Sequence, residues 1–129
     1  MRTLTTLGLA ALVAAVALIA AAPAVASDDD DIIRRGSCSG SADWKVKLDF
    51  DDGRIETEFE VDQNRNGRRW RVVLKRDGNR FFKGVRTTHG PSGSFEVERK
   101  TRNPAGSDRI KARAVNLTSG EVCEGAARI

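Results

Sequence analysis

The stretch from Asp43 to Val61 constrains the fold more than any other part of the chain. Trp44, Val46, Leu48 and Phe50 alternate with Lys45, Lys47 and Asp49. After Asp52-Gly53 the alternation resumes, with Ile55, Thr57, Phe59 and Val61 set against Glu56, Glu58 and Glu60. Period-two alternation places successive side chains on opposite faces of a strand. Asp-Gly is a hairpin-turn signal, because both central positions of a two-residue turn of this kind need positive φ. Taking Asp52-Gly53 as that turn sets the register. Trp44 falls opposite Val61, Val46 opposite Phe59, Leu48 opposite Thr57 and Phe50 opposite Ile55, while Lys45 meets Glu60 and Lys47 meets Glu58 on the other side. One assumed turn thus yields an apolar inner face and an ion-paired outer face, and a slip of one residue would invert both.

The same reading continues downstream. Asp62–Gly67 is a polar loop, and Arg68–Lys75 is a third strand with Trp70, Val72 and Leu74 inward and Arg69, Arg71 and Lys75 outward. Asp77-Gly78 marks a second tight hairpin. Arg80–Thr88 is a weaker strand that must turn either Lys83 or Arg86 inward, which suits a sheet edge, where an inward charge discourages aggregation. A fifth strand covers Ser94–Arg99, with Phe95 and Val97 inward. A sixth covers Asp108–Val115, with Ile110, Ala112 and Ala114 inward and Arg109, Lys111 and Arg113 outward. Glu121–Ile129 closes the domain as the seventh. Seven short strands separated by turns, with no helix-period segment beyond the leader, predict an all-β, two-sheet sandwich.

The order of these elements resembles the fibronectin type III and wider immunoglobulin-like families. A first hairpin feeds a third strand bearing Trp70, a tight hairpin follows, and the chain closes with a sixth–seventh strand pair, "DRIKARAVNLTSGEVC". Together these stretches span most of residues 42–125. Two departures stand out. The sixth strand lacks the usual aromatic residue, and the antibody-type disulfide between the second and sixth strands is missing. The whole is similar to small exported actinobacterial proteins. The resemblance implies a seven-stranded immunoglobulin-like β-sandwich in which the third and sixth strands are neighbours. It carries no activity with it.

The N-terminus reads as a helical, cleavable signal peptide. Arg2 provides the positive start, Leu7–Ala22 is apolar, and Ala24-Val25-Ala26 supplies the small residues of a cleavage site, with the cut expected after Ala26. The apolar run is about 16 residues, short of the ~20 that span a bilayer. An acidic block, Asp28–Asp31, follows it, and nothing later is apolar enough to span a membrane. The expected division is therefore a signal peptide over 1–26, a disordered acidic lead-in over 27–36 and the sandwich over 37–129. The product is expected to be secreted, with no transmembrane segment.

In an exported protein the two cysteines, Cys38 and Cys123, are most simply read as one disulfide. The loop it closes holds about 85 residues, for which chain-entropy estimates reach ~4–5 kcal/mol. By the resemblance, the first and last strands lie side by side, so the bridge would tie the ends of the domain together.

Charge separates along the chain. Without Arg2, 21 basic residues stand against 18 acidic, and without the aspartate block 21 stand against 14, a net of +7 on the folded part. If the third and sixth strands are neighbours, Arg69, Arg71, Lys75, Arg109, Lys111 and Arg113 merge into one basic face. Such a face suits a polyanion held in a salt-dependent way. Nucleic acid fits poorly, because few aromatic residues are free for stacking. An anionic cell-envelope polymer or an acidic protein suits the compartment better.

Catalytic chemistry finds little foothold. His89, the only histidine, lies in "HGPSGS" near Ser92 and Ser94, without a recognisable orienting carboxylate or oxyanion donors. Glu56, Glu58 and Glu60 share a face with lysines set opposite two of them. Asp62–Gly67 copies the first six positions of a calcium loop, but the twelfth, normally a bidentate glutamate, is Val73. Neither an enzyme nor a metal or cofactor is expected. The sequon Asn116-Leu117-Thr118 is expected to be silent in a bacterium. The expectation is a non-enzymatic extracellular binding domain. The alternatives are a secreted protease inhibitor acting through Thr88–Gly93 or Thr101–Asp108, and a structural envelope protein.

Overall fold

Eight strands make up the described part of the chain, residues 31–103 and 106–129 of the computed structural model: β1 (Ile32–Ser37), β2 (Asp43–Asp51), β3 (Arg54–Asp62), β4 (Arg69–Arg76), β5 (Asn79–Thr87), β6 (Ser94–Arg102), β7 (Arg109–Asn116) and β8 (Val122–Arg128). They form two antiparallel four-stranded sheets, ordered β1-β2-β3-β6 and β5-β4-β7-β8, and the described residues contain no helix. The leader expected over 1–26 lies outside the described residues.

Turn chemistry and alternation place the central elements as read. The β2–β3 ladder has the counted register, from Trp44 opposite Val61 to Phe50 opposite Ile55. Both tight hairpins turn on an Asp-Gly pair in the left-handed region, Asp52 (φ 49°) with Gly53 (φ 71°) and Asp77 (φ 47°) with Gly78 (φ 84°). The inner faces meet in a core led by Trp70, Phe59, Leu48, Ile55, Leu74 and Ile110, all fully buried. Trp70 packs at 6.2 Å from Phe95 of the opposite sheet, and its Nε1 donates to Gln63 Oε1 at 3.1 Å. Buried Trp side chains need such a partner for the indole N–H.

The sandwich has eight strands rather than seven, and the extra one corrects the reading of residues 27–36 as disordered. Residues 32–36 fall within β1, which pairs along β2 from Ile32↔Leu48 to Ser37↔Asp43. Gly36 has a packing role, since a Cβ there would stand 2.6 Å from the Trp44 ring. Trp44 also lies over Gly125 of β8, where a Cβ would be 2.3 Å from the indole. Its ring thus bridges the seam between the two sheets. At the same seam Cys38, just past β1, is bonded to Cys123 in β8, so the disulfide joins one sheet to the other.

One inward assignment resolves differently from expectation, and one left open between two residues is settled. Phe50 is 60% exposed, because β1 pairing ends at Leu48 and leaves this end of β2 flanked by β3 alone. On β5, Arg86 is the inward charge, facing Trp70 across the ladder, while Lys83 pairs with the outward position Val73. The Arg86 guanidinium lies 5.1 Å from the Phe82 ring centre, and Arg99 of β6 lies 4.5 Å from the same ring. Two arginines therefore clasp one phenylalanine where the edge strands of the two sheets approach. This is cation–π packing that also covers apolar edge surface with the arginine stems.

Candidate anion-binding face

β4 and β7 are hydrogen-bonded neighbours, with Lys75 opposite Lys111, Val73 opposite Arg113 and Arg71 opposite Val115. Arg69, Arg71, Lys75, Arg109, Lys111 and Arg113 are all exposed, and all six lie at outward positions of this one sheet. The flanking strands add cations that the sequence reading had not assigned. Arg80 pairs with Lys75 beyond a bulge in β5, so Arg80, Lys75 and Lys111 stand abreast in one row. In the next row Arg109 faces Arg128 of β8. Period-two counting from Glu124 would have put Arg128 outward; the Arg80 pairing depends on a bulge that no local pattern announces.

Like charges directly opposite each other on a ladder are unfavourable. Here three such pairs fall in two adjoining rows, and a hollow of about 290 Å³ opens between the rows, lined by Lys75, Asp77, Gly78, Arg109, Lys111 and Arg128. A second hollow of about 170 Å³ continues along β4 and β7, lined by Val73, Lys75, Lys111 and Arg113. Val73, Val85 and Val115 sit between the cations, so the face is a checkerboard of charge and short aliphatic side chains.

Several other arginines are committed elsewhere. Arg76 reaches across to the opposite sheet, donating from Nη1 to Thr101 Oγ1 at 3.1 Å and to the Arg102 carbonyl, and its Nε lies 3.8 Å from Asp108 Oδ1. Arg86 and Arg99 hold Phe82. One acid intrudes on the basic face: Glu124 of β8 lies 3.1 Å from Lys111 Nζ and 3.3 Å from Arg113 Nε.

At the end of the larger hollow sit two aspartates in unlike states. Asp77 Oδ1 accepts from the Arg109 amide at 2.9 Å, and that bond holds its carboxyl below the usual range. Asp108 is buried, and burial, followed by the adjacent Asp77, pushes its carboxyl up. Its Oδ2 has no donor among the described residues.

The other outer face has a different character. Lys45 and Lys47 pair with Glu60 and Glu58 at 3.6 and 3.8 Å, but β6 sets Glu96 beside Glu60 and Glu98 beside Glu58. The lysine–glutamate balance expected there becomes an acidic excess. Lys47 also meets Asp31 at 3.3 Å, so the last residue of the acidic block rests on this face and not on the basic one. A hydrogen bond to Glu98 raises the carboxyl of Glu56.

The remaining motifs settle into loop structure. Asp62 Oδ1 accepts from the Asn64 amide at 3.0 Å, and the Arg65 carbonyl accepts from Thr88 Oγ1 at 2.5 Å, so groups of the calcium-like loop are engaged with protein. His89 Nδ1 lies 3.1 Å from the Gly90 carbonyl, while Ser92 and Ser94 bond each other at 2.8 Å. The Thr88–Gly93 loop is pinned to its neighbour: a Cβ at Gly93 would meet the Arg65 amide at 2.2 Å. Thr101 and Asp108, at the ends of the other candidate loop, are held by Arg76, and residues 104 and 105 between them lie outside the described residues.

No family model matches the chain, and no curated protein matches it.

Proposed function

We propose that this protein is an exported, non-enzymatic binding domain of immunoglobulin-like build that holds an anionic polymer of the cell envelope on the outer face of β5-β4-β7-β8. The observation that carries the reading is the row Arg80–Lys75–Lys111, backed by Arg109–Arg128. Among the described residues, the acids close to this array of cations are Asp77, its buried neighbour Asp108, and Glu124. Keeping the cations together costs free energy in the absence of an anion. A polymer with repeated phosphate or carboxylate groups relieves that repulsion row by row and releases its own counterions, so binding weakens steeply with salt. The flat, valine-studded surface suits an extended chain rather than a small enclosed ligand.

The immunoglobulin-like assignment is supported by the strand order, in which the predicted first, second and fifth strands share one sheet and the predicted fourth, third, sixth and seventh share the other. Export is supported by the leader pattern and is compatible with the disulfide. Loop-based protease inhibition is the second reading, favoured by the pinned Thr88–Gly93 loop.

The test is co-sedimentation of residues 27–129 with isolated cell envelopes at low and high salt. Pelleting that is lost at high salt is the expected result. Protein left in the supernatant at both salts overturns the polymer reading and directs attention to soluble acidic proteins and proteases.

A further inference from the structure

We infer that Glu124 is a built-in competitor for the anion, dividing the basic face into an occupied half and a free half; this rests on the polyanion reading above. Its carboxylate, on the edge strand β8, spans Lys111 Nζ and Arg113 Nε at 3.1 and 3.3 Å. All three side chains are about half exposed, at 42%, 45% and 53%, so the contact can be exchanged from solvent. Among the described residues, no acidic residue stands opposite Arg71, Lys75 or Arg109 in the ladders.

An incoming polymer carboxylate that displaces Glu124 replaces one monoanion with another. It also competes against a group already held at the site by the chain, with the advantage of high effective concentration. Exchange there yields little. A phosphate linked on both sides in a polymer backbone is likewise a monoanion, whereas a pendant phosphate monoester carries about −1.5 to −2 charge at neutral pH and gains from the same exchange. Glu124 therefore makes the face discriminate: polymers of carboxylates use the free half alone, while polymers bearing pendant phosphate monoesters recruit Lys111 and Arg113 as well.

The experiment measures retention of full-length mature protein on poly-phosphoserine and on poly-glutamate across a salt series, for the natural chain and for Glu124→Gln. The amide keeps size and polarity on an exposed strand position, and a thermal melt checks folding. Glu124→Gln is expected to bind poly-glutamate about fivefold more tightly at low salt, the equivalent of two further exposed charge contacts. Its affinity for poly-phosphoserine changes less. In that background Arg113→Ala costs more affinity for poly-glutamate than it does in the natural chain. Equal affinities for the natural chain and the variant, where both bind, overturn the competition and leave the polyanion reading standing. Binding by neither protein to either polymer overturns both. Binding by the variant alone supports the competition in its strongest form.

Discussion

The two outer faces of the sandwich use the same pleat and the same kinds of residue, yet they arrive at opposite electrostatics. On β1-β2-β3-β6 the cations and anions are interleaved, with Lys45 against Glu60, Lys47 against Glu58 and Lys100 between Asp51 and Glu56 at 2.5 and 3.6 Å. On β5-β4-β7-β8 cations face cations, and Glu124 is the one acid of the face in an ion pair, among the described residues. A count of charges along the chain does not separate these cases. What separates them is which strands lie side by side, because a cross-strand neighbour acts from about 5 Å while a sequence neighbour points the other way. On the first face most cations are met by acids and the surplus is negative, with Glu96 beside Glu60 and Glu98 beside Glu58; on the second the surplus is positive and is left for an anion to complete.

Several perturbations break or sharpen that contrast. The largest effect is expected from cutting the tie between the sheets. Replacing Cys38 and Cys123 together by Ser removes a bridge across 85 residues and should lower stability by about 2–5 kcal/mol, read from denaturant unfolding. An unchanged midpoint would mean that the sheets are held by their core alone. Next comes Arg71→Glu with Lys75→Glu, on the half of the face that Glu124 does not touch. Retention on polyphosphate at low salt should fall roughly a hundredfold, whereas Lys45→Glu with Lys47→Glu on the other sheet should leave it nearly unaltered. Equal losses from both pairs would show that net charge governs binding and the face does not. Gly125→Ala pushes a methyl group into the Trp44 ring and should cost about 1–3 kcal/mol through overpacking, without altering polymer affinity once the protein is folded.

The smallest effect concerns the acidic face. Glu98→Gln relieves the repulsion on Glu56 and should raise the melting temperature slightly at pH 7. Glu56 titrates above its ordinary value in the fold, so its ionised form is disfavoured there, and the chain recovers stability as pH falls through that value. The advantage of the variant should therefore shrink towards about pH 4. Asp51 works in the other direction: Lys100 holds it down, so its contribution is present at neutral pH and disappears as acid protonates it. A melting difference between variant and natural chain that stays constant from neutral to acid pH would contradict the assignment.

Much of the architecture was legible because local rules agreed with one another. The Asp52-Gly53 turn, the alternation on both sides of it and the ion pairs on the outer face are mutually consistent, and every counted pair of that hairpin is present. Strand β1 was hidden for a physical reason. Its inward positions are Ile32, Arg34 and Gly36, which show no apolar alternation, and Gly36 is there to admit an indole that belongs to another strand. The six cations of the basic face could be named from parity, but their neighbours could not. Glu124 lies on a closing strand whose pairing with β7 was expected but whose register was not counted, Arg80 becomes relevant only through a bulge, and Glu96 and Glu98 only because β6 pairs with β3 across more than thirty residues of chain. Long-range register is the part of a β-fold that local pattern leaves open.

The placement of the two tryptophans has a practical consequence. The chain contains no tyrosine, so its near-ultraviolet emission comes almost wholly from Trp44 and Trp70. One lies at the seam beside Gly36 and Gly125, the other in the centre of the core against Phe95. Replacing either by phenylalanine leaves a single intrinsic reporter, one for the edge where the sheets are clipped together and one for the interior. Loosening of the seam and melting of the core can then be timed separately, with no dye attached.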